Sequence, residues 1–295
     1  MLKIAIIAHK KKTLGGGLRE LRQVLKDRGY TNPPWSEVER SRQIPALARK
    51  AVKSGADVVF IWGGDGSVQR CVDAISGKEV SLAILPAGTA NLLATNLKIP
   101  VDLVSAVDIG LEGERRRLDV GVLNGERFAV MAGVGFDALM LRYADDNLKE
   151  HFGRLAYVVS STHATRMSSR EIRITVDKRA WFKGQATCVL LGQMSSLSGG
   201  VRVFPNSRPD DGLLEIGVVT AENPMQWARL LARLAVGHAE RSPLAQMTQG
   251  QRIDITLSRP TVYELDGSDR KATTHLRATI ERRSLVVCVP REEVP

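Results

Sequence analysis

The chain has 295 residues, of which 43% are hydrophobic and 25% charged, and its formal net charge is +10. This length is enough to bury a sizeable core, and it suggests two lobes or one large domain. No run approaches the roughly 18 consecutive apolar residues of a membrane span, so any membrane contact would be peripheral. The positive charge favours an anionic partner, for which a nucleotide, a nucleic acid and an anionic membrane surface all qualify.

The cysteines and the first residues bear on the compartment. Cys71, Cys188 and Cys288 are far apart and match no metal-ligand or redox spacing, which is typical of buried thiols in a reducing environment. The start, MLKIAIIAHKKK, places its lysines after a short apolar run, whereas a signal peptide places charge first. We therefore expect a first β-strand and a cytoplasmic protein.

The first part of the chain, residues 1–117, alternates strand and helix patterns. Short apolar runs predict buried strands at residues 4–8, 57–62 and 80–85, and each leads into a helical pattern. Such an alternation predicts a mainly parallel sheet with helices on both faces.

The second part, residues 118–284, has a different texture, with short strands separated by turns. Helical patterns interrupt it near 151–166 and 223–237. The predicted strands are 127–131, 172–176, 187–191, 213–218, 253–257 and 262–265. This pattern predicts an antiparallel lobe of sandwich or barrel type.

Two of the predicted strands in the first part end in glycine-containing turns, GGDGS (63–67) and PAGTAN (86–91). A strand that turns into a helix through glycines offers free backbone N–H groups and the positive end of the helix, which together attract phosphate. Because the carboxyl ends of parallel strands meet at one sheet edge, the two turns predict a single nucleotide site.

Asp65 lies in the middle of the first turn. A carboxylate repels phosphate unless a cation lies between them or the carboxylate takes a proton from an attacking hydroxyl. Either role indicates phosphoryl transfer. The alternative interpretation is a tight strand-to-helix turn in which Asp65 is a helix cap.

Six segments in order resemble the catalytic-domain family of diacylglycerol kinases, which includes bacterial lipid kinases and sphingosine kinases and is related to NAD kinases. The resemblance spans nearly the whole chain. The segments are GGDGS (63–67), LPAGTANLLA (85–94), RRRLDVGVLNGERF (115–128), GVGFDA (133–138), FPNSRPDDGLLEI (204–216) and ELDGS (264–268).

The resemblance implies an α/β N-terminal nucleotide-binding lobe, similar to that of NAD kinases, and a β-rich, sandwich-like C-terminal lobe. It also implies that residues 285–295 return to the first lobe. The implied activity is transfer of the γ-phosphate of ATP, with Mg²⁺, to a hydroxyl of a diacylglycerol- or sphingoid-like lipid. The residues that would hold the nucleotide are His9, Lys10, Thr13, Gly63, Gly64, Asp65, Gly66, Ser67, Gly88, Thr89 and Asn91.

Three carboxylates of the usual family pattern are replaced in this chain. Leu92 follows Asn91 where bacterial members have aspartate, Ser268 replaces the glutamate that is the proposed base, and Arg70 replaces a glutamate in the first helix. By analogy with sphingosine kinases, Asp65 would be the base, with Asp266 and Ser268 as further catalytic residues.

The segment RPDDGLL matches the family's structural magnesium site. Asp211 would supply the carboxylate, and Arg208 and Leu213 would supply backbone carbonyls, a reasonable donor set for a hard cation. A β-turn accounts for the same residues, since Asp-Asp-Gly is a strong turn signal.

Two other classes of function stay open from the sequence. One is a nucleotide- or lipid-binding protein without turnover, and the other is an NAD kinase, which shares Gly-Gly-Asp-Gly.

A nucleic-acid partner is not expected, because ERRR (114–117) lacks interleaved aromatic residues and is typical of a solvated loop. The basic helix at 223–241 is expected to pack on the second lobe, with peripheral binding at the inner membrane face as the alternative. The oligomeric state is left open, a dimer included.

Overall fold

The structure, a computed structural model, describes residues 1–135, 169–196, 202–235 and 242–291. The chain forms two compact units, Met1–Val120 with Arg282–Pro295, and Gly121–Glu281. The helical pattern at 151–166 and the last residues of the GVGFDA segment lie outside the described residues. Among those described, no helix is both long enough and apolar enough to cross a bilayer.

The first unit is built on parallel strands with helices packed on them. Its strands are β1 Ile4–His9, β2 Trp35–Val38, β3 Val58–Gly63 and β4 Ser81–Pro86. They lie in the order β4-β3-β1-β2, and Val286 and Val287, near the end of the chain, pair in parallel with Ser81 and Leu82 of β4. All six residues of β3 are buried, as expected for a strand covered on both faces.

The helices of the first unit follow the strands. They are α1 Gly17–Asp27, α2 Ile44–Lys53, α3 Asp65–Ile75, α4 Leu92–Asn96 and α5 Leu103–Glu112, and a 3₁₀ turn spans Ser41–Gln43. Helix α1 packs beside α5, and α2 packs beside α3. Contact between α5 and the sheet is close, since a Cβ on Gly110 would overlap the ring of Phe60. The predicted α/β lobe is confirmed.

The second unit is almost entirely antiparallel. Its strands are the end of β5 Glu114–Leu123, then β6 Glu126–Phe128, β7 Met131–Val134, β8 Arg170–Val176, β9 Arg179–Ala186, β10 Cys188–Gly192, β11 Leu214–Val219, β12 Ala245–Gly250, β13 Arg252–Leu265 and the first part of β14 Ser268–Val289. Pairing runs β12-β11-β10-β7-β13-β14, while β8 pairs with β13 and β9 with β8. The predicted β-rich lobe is confirmed.

Helix α6, Pro224–Ala235, packs on the sheet of the second unit. Trp227, Leu230 and Leu234 are buried and line a small apolar cavity together with Cys188 and Val218 of the strands. The expected packing of this helix is therefore confirmed, and its tryptophan is not available to a membrane surface.

Three strand predictions differ from the structure. The segment predicted as one strand at 127–131 is divided between β6 and β7, because the N–H groups of Ala129 and Val130 donate to the carboxylate of Asp266. The two strands predicted at 253–257 and 262–265 are one strand, β13, with register shifts between Thr256 and Tyr263. Pro260 lies in this irregular part and has no N–H to pair.

ERRR (114–117) opens strand β5, so the loop prediction for this segment was wrong. The guanidinium of Arg115 donates to the carbonyls of Gly110, Leu111 and Gly113. These carbonyls lie at the end of α5, where orphan backbone acceptors need donors, so the first cation of this run has a structural partner.

Candidate active site

Three loops of the first unit meet at one edge of its sheet. Strands β1, β3 and β4 are parallel neighbours, with Ala8 opposite Trp62 and Gly63 opposite Pro86. The loops that follow their carboxyl ends therefore lie side by side, as the two glycine turns and the predicted phosphate loop require.

The two glycine turns are in backbone contact. The N–H of Ala87 donates to the carbonyl of Gly63 at 3.0 Å. A Cβ placed on Gly64 would lie 3.0 Å from the Cα of Gly88, and one placed on Gly88 would overlap Gly64. The bare backbone at these two positions thus lets one turn pack directly on the other.

Asp65 joins the two turns by hydrogen bonds. It is the first residue of α3, and its Oδ1 accepts from the N–H of Leu92 at 2.5 Å, while Oδ2 accepts from the N–H of Asn91 at 3.0 Å. Asp65 therefore caps a helix, as the alternative interpretation proposed, but the helix is α4 on the second turn and not its own.

The environment of Asp65 changes its acidity. Burial raises the pKa of the Asp65 carboxyl, and the N–H groups of Leu92 and Asn91 and the charge of Lys12 oppose this increase. A carboxylate with a raised pKa is a better proton acceptor than one in water. Asp65 is therefore chemically suited to the role of a general base.

Asn91 shapes the second turn. Its backbone is left-handed, with φ 48°, its Oδ1 accepts from the N–H of Gly88 at 2.8 Å, and its Nδ2 donates to the Gly88 carbonyl at 2.9 Å. Thr89 is exposed between them. Leu92 is fully buried and packs in the core, so an apolar contact stands where the resemblance implies a carboxylate.

The loop after β1 is basic. Lys10, Lys12 and Thr13 are exposed, and the carbonyl of Lys12 accepts from Trp62 Nε1 at 2.9 Å, which ties the loop to β3. Burial and the charges of Lys12 and Lys11 lower the pKa of His9, which favours the neutral imidazole. Lysines at this position supply positive charge for an anionic ligand.

Ser41 was missed by the sequence analysis. It opens the 3₁₀ turn that follows β2, and its Oγ lies 3.3 Å from the Oγ of Ser67 in the first glycine turn. Next to it, an open hollow of about 430 Å³ is lined by Lys10, Glu37, Glu39, Arg40, Arg42 and Gln43. The only sequence signal for Ser41 was a hydroxyl residue before a helix. The strand before it, β2, has just four residues and gives no clear strand pattern.

The predicted catalytic residues of the second unit differ in exposure. Asp266 is 4% exposed, and its carboxylate accepts from the N–H groups of Ala129, Val130 and Met131 at 2.9, 3.1 and 2.8 Å. Ser268 is half-buried and begins β14. Asp266 thus anchors the β6–β7 connection through its carboxylate.

The predicted magnesium segment forms a turn before β11. Asp211 Oδ1 accepts from the N–H of Leu213 at 3.0 Å, and Arg208 is exposed at the start of the segment. Burial raises the pKa of Glu215, and the negative charge of Asp211 raises it further. No group of three or more His, Cys, Asp or Glu side chains suitable for a metal occurs within the described ranges.

Two family descriptions match the chain. Residues 5–123 match "Diacylglycerol kinase catalytic domain", and residues 130–289 match "YegS C-terminal NAD kinase beta sandwich-like domain". Together they span both units and match the predicted pair of a nucleotide-binding lobe similar to that of NAD kinases and a sandwich-like lobe.

Curated relatives carry the same family name at modest identity. The chain is 27% identical to a diacylglycerol kinase of Staphylococcus saprophyticus, over 75% of this chain and 73% of that protein. It is 25% identical to a diacylglycerol kinase of Staphylococcus haemolyticus, over 96% of this chain and 84% of that protein.

Solved structures show the same fold. A diacylglycerol kinase from Bacillus anthracis matches with a TM-score of 0.72 and 18% identity, over 97% of this chain and 96% of that one. An NAD kinase from Archaeoglobus fulgidus in complex with ATP matches with a TM-score of 0.51 and 11% identity, over 97% and 93% of the two chains.

Proposed function

Because the chain belongs to the family of the diacylglycerol kinase catalytic domain, we propose that it is an ATP-dependent lipid kinase. It transfers the γ-phosphate of ATP to a hydroxyl of a diacylglycerol- or sphingoid-like lipid. The observation that carries this proposal is the pair of glycine turns in backbone contact, joined by the carboxylate of Asp65.

The nucleotide is held at the edge of the first unit's sheet where these turns lie. Gly64 precedes α3 and has no side chain to cap it, and since the N–H groups of Ser67 and Val68 donate to the Gly64 carbonyl, the N–H of Gly66 is the donor that this turn offers to phosphate. Ser41 and Ser67 add hydroxyl donors, and Lys10 and Lys12 add positive charge beside them.

Asp65 takes the proton of the lipid hydroxyl as that oxygen attacks the γ-phosphorus. The bond between the γ-phosphorus and its bridging oxygen breaks, and ADP leaves with the electron pair. The hydrogen bonds from Asn91 and Leu92 fix the carboxylate in position, and its raised pKa favours proton transfer. Positioning and electrostatics supply most of the rate, as in other phosphoryl transfers.

The donor set of the segment 208–213 fits a magnesium ion. One carboxylate, that of Asp211, lies in a turn with backbone carbonyls, and it already perturbs the neighbouring Glu215, so a cation would relieve the repulsion. We propose that Asp211 and the carbonyls of Arg208 and Leu213 hold this ion. A magnesium ion bound with ATP would in addition offset phosphate charge.

In the second unit, the carboxylate of Asp266 fixes the β6–β7 connection, because it accepts hydrogen bonds from three backbone N–H groups of that connection. Ser268 follows it at the start of β14. We propose a positioning role for Asp266 and Ser268. Since the phosphate donor is ATP, we also propose that the reaction takes place in the cytoplasm, on lipid at the inner membrane face.

A binding protein without turnover is the second candidate. The buried Leu92 is the observation that favours it, because an apolar core contact replaces the carboxylate that the resemblance implies.

One experiment separates the kinase from the binding protein. The purified protein is incubated with γ-labelled ATP, Mg²⁺ and a total bacterial lipid extract, and the lipids are separated. A labelled lipid that is absent with Asp65→Asn establishes the kinase, whereas ATP binding without any labelled lipid establishes the binding protein.

A further inference from the structure

Another surface of the second unit, away from the buried Trp227, combines cations with a partly exposed aromatic ring. This surface, here called the basic hairpin, consists of strands β8 and β9 and their turn. Its relevant side chains are Arg173, Lys178, Arg179, Trp181 and Lys183. The four cations are exposed, and Trp181 is half-buried.

The hairpin has a tight turn and lies at a sheet edge. Val176 pairs with Arg179 across a two-residue turn whose residues, Asp177 and Lys178, have φ of 48° and 69°. Both residues are left-handed, as in the type I′ turns that suit hairpins. Among the strands that the structure describes, β9 pairs with β8 alone, so within these ranges its other edge is open.

The hairpin brings like charges close together and gives most of them no ionic partner. Arg173 lies directly opposite Lys183 on the paired strands, where like charges repel, and Arg173 also forms an exposed ion pair with Glu171 of its own strand at 3.2 Å. Asp177, the acidic residue of the turn, accepts from the N–H groups of Gln251 and Arg252. Within the part of the chain that the structure describes, Lys178, Arg179 and Lys183 form no ion pair.

Trp181 lies where the pairing of the two strands is irregular. Ile174 is opposite Phe182 and Thr175 is opposite Ala180, so Trp181 is the extra residue of a β-bulge. Bulges redirect side chains, and here the ring of Trp181, two residues from Arg179 and from Lys183 in the sequence, packs on the hydrophobic core but stays partly exposed. A half-exposed tryptophan with lysine and arginine neighbours is typical of residues at a membrane–water interface.

Protection of an open sheet edge is the simpler explanation of these charges, since lysines on edge strands prevent aggregation. Edge protection accounts for Lys183 and Arg179. It does not account for the cross-strand pair of Arg173 and Lys183, whose repulsion the exposed ion pair with Glu171 offsets only weakly, or for the bulge at the partly exposed Trp181. An anionic surface opposite the hairpin accounts for both features, because it neutralises the cations and accepts the ring.

We propose that the basic hairpin docks on an anionic lipid bilayer. The choice of a bilayer over other polyanions rests on the proposed lipid kinase function. The net charge of +10 supports the same attraction at longer range. Docking of this kind is peripheral, with Trp181 at headgroup depth and the cations in contact with lipid phosphates.

Co-sedimentation of the full chain with vesicles tests the docking. Vesicles of phosphatidylcholine alone are compared with vesicles that also contain phosphatidylglycerol. We expect binding to the anionic vesicles only, and a loss of at least about 100-fold in partition for the triple variant Lys178→Glu/Arg179→Glu/Lys183→Glu, since each cation contributes to surface attraction. The matched control, Lys26→Glu/Lys50→Glu/Lys53→Glu, reverses three exposed charges of the first unit and should retain most of the binding.

Tryptophan fluorescence tests the position of the ring without a loss of charge. Anionic vesicles should shift the emission of the wild-type protein to the blue, and Trp181→Phe should abolish this shift while far-ultraviolet circular dichroism stays unchanged. A shift that persists in Trp181→Phe contradicts the proposal. So does equal loss of binding in both triple variants, or binding to tRNA but not to vesicles.

Kinase assays keep this proposal separate from the proposed function. With lipid dispersed in neutral detergent micelles, the hairpin variant should match the wild-type rate, and its rate should fall only on anionic vesicles. If the wild-type protein phosphorylates no lipid but still docks through the hairpin, the proposed function fails and the docking stands. If it phosphorylates lipid in vesicles equally with and without the hairpin cations, the docking fails alone.

Discussion

Two aspartates of the predicted catalytic set make similar hydrogen bonds but in different settings. Asp266 accepts three backbone N–H groups and is almost fully buried, whereas Asp65 accepts the N–H groups of Asn91 and Leu92 and stays partly exposed. An aspartate in a glycine turn can therefore serve either to hold the backbone or to hold it and react. The exposure of the carboxylate decides between these two roles, because only a carboxylate that a substrate can reach can take the proton of that substrate.

The largest expected effect is on activity at Asp65. Asp65→Asn should reduce kcat by about 100-fold to 10,000-fold, since a general base contributes that much. It should also destabilise the protein by about 1–2 kcal/mol, because the amide NH₂ faces an N–H donor. Steady-state kinetics and urea unfolding measure the two effects. Asp73→Asn, on the same helix, is the control and should keep its rate; an active Asp65→Asn enzyme would remove Asp65 from the mechanism.

The next effect is on stability at Asp266. Asp266→Ala leaves three buried N–H groups without their acceptor, and we expect a loss of at least about 3 kcal/mol in the free energy of unfolding. Chemical denaturation followed by circular dichroism measures it. The exposed neighbour Asp269, changed to alanine, should cost little. If Asp266→Ala is as stable as the wild type, the anchoring role assigned to this carboxylate is wrong.

A smaller effect is expected where the turns touch. The Cβ of Gly88→Ala would overlap Gly64, so we expect about 1–3 kcal/mol of destabilisation, as for other overpacked sites, together with weaker ATP binding. Gly184→Ala is the control, because the nearest atom to its Cβ would be 3.5 Å away. Calorimetric titration with ATP and thermal unfolding separate the two effects. Unchanged ATP affinity in Gly88→Ala would argue against a nucleotide at these turns.

The smallest effect is the pH dependence of stability. Burial raises the pKa of Asp65 above its ordinary value of 3.8, so the folded state holds this proton longer than the unfolded state. The contribution of Asp65 is therefore fully present below 3.8 and is lost as the pH rises through the folded pKa. The stability difference between wild type and Asp65→Asn should shrink from mildly acidic to neutral pH. A difference that grows over this range would show a lowered pKa.

The sequence predicted those features that depend on local patterns. The apolar runs before GGDGS and PAGTAN identified β3 and β4, and parallel pairing then required the two turns to be neighbours. The physical reason is that strand burial and glycine turns are both determined by residues close in the chain.

Features that depend on distant residues were not predictable in this way. The break between β6 and β7 is caused by Asp266, more than 130 residues away, and the carboxylate of Asp65 finds its donors at Asn91 and Leu92 on the next turn. Ser41 reaches Ser67 only because β2 pairs with β1 over four residues. Hydrogen bonds of this kind leave no periodic signal in the sequence.

Transfer of phosphate from γ-labelled ATP to a defined diacylglycerol in mixed micelles tests directly whether the protein is a lipid kinase with Asp65 as its base. Wild type and Asp65→Asn are compared at equal concentrations of folded protein, with ATP affinity measured in parallel. We expect labelled phosphatidic acid from the wild type, none above background from Asp65→Asn, and similar ATP affinity for both. Equal labelling by the two proteins would contradict the role of Asp65, and ATP binding with no labelled product from the wild type on this or any lipid of the bacterial extract would contradict the assignment as a lipid kinase.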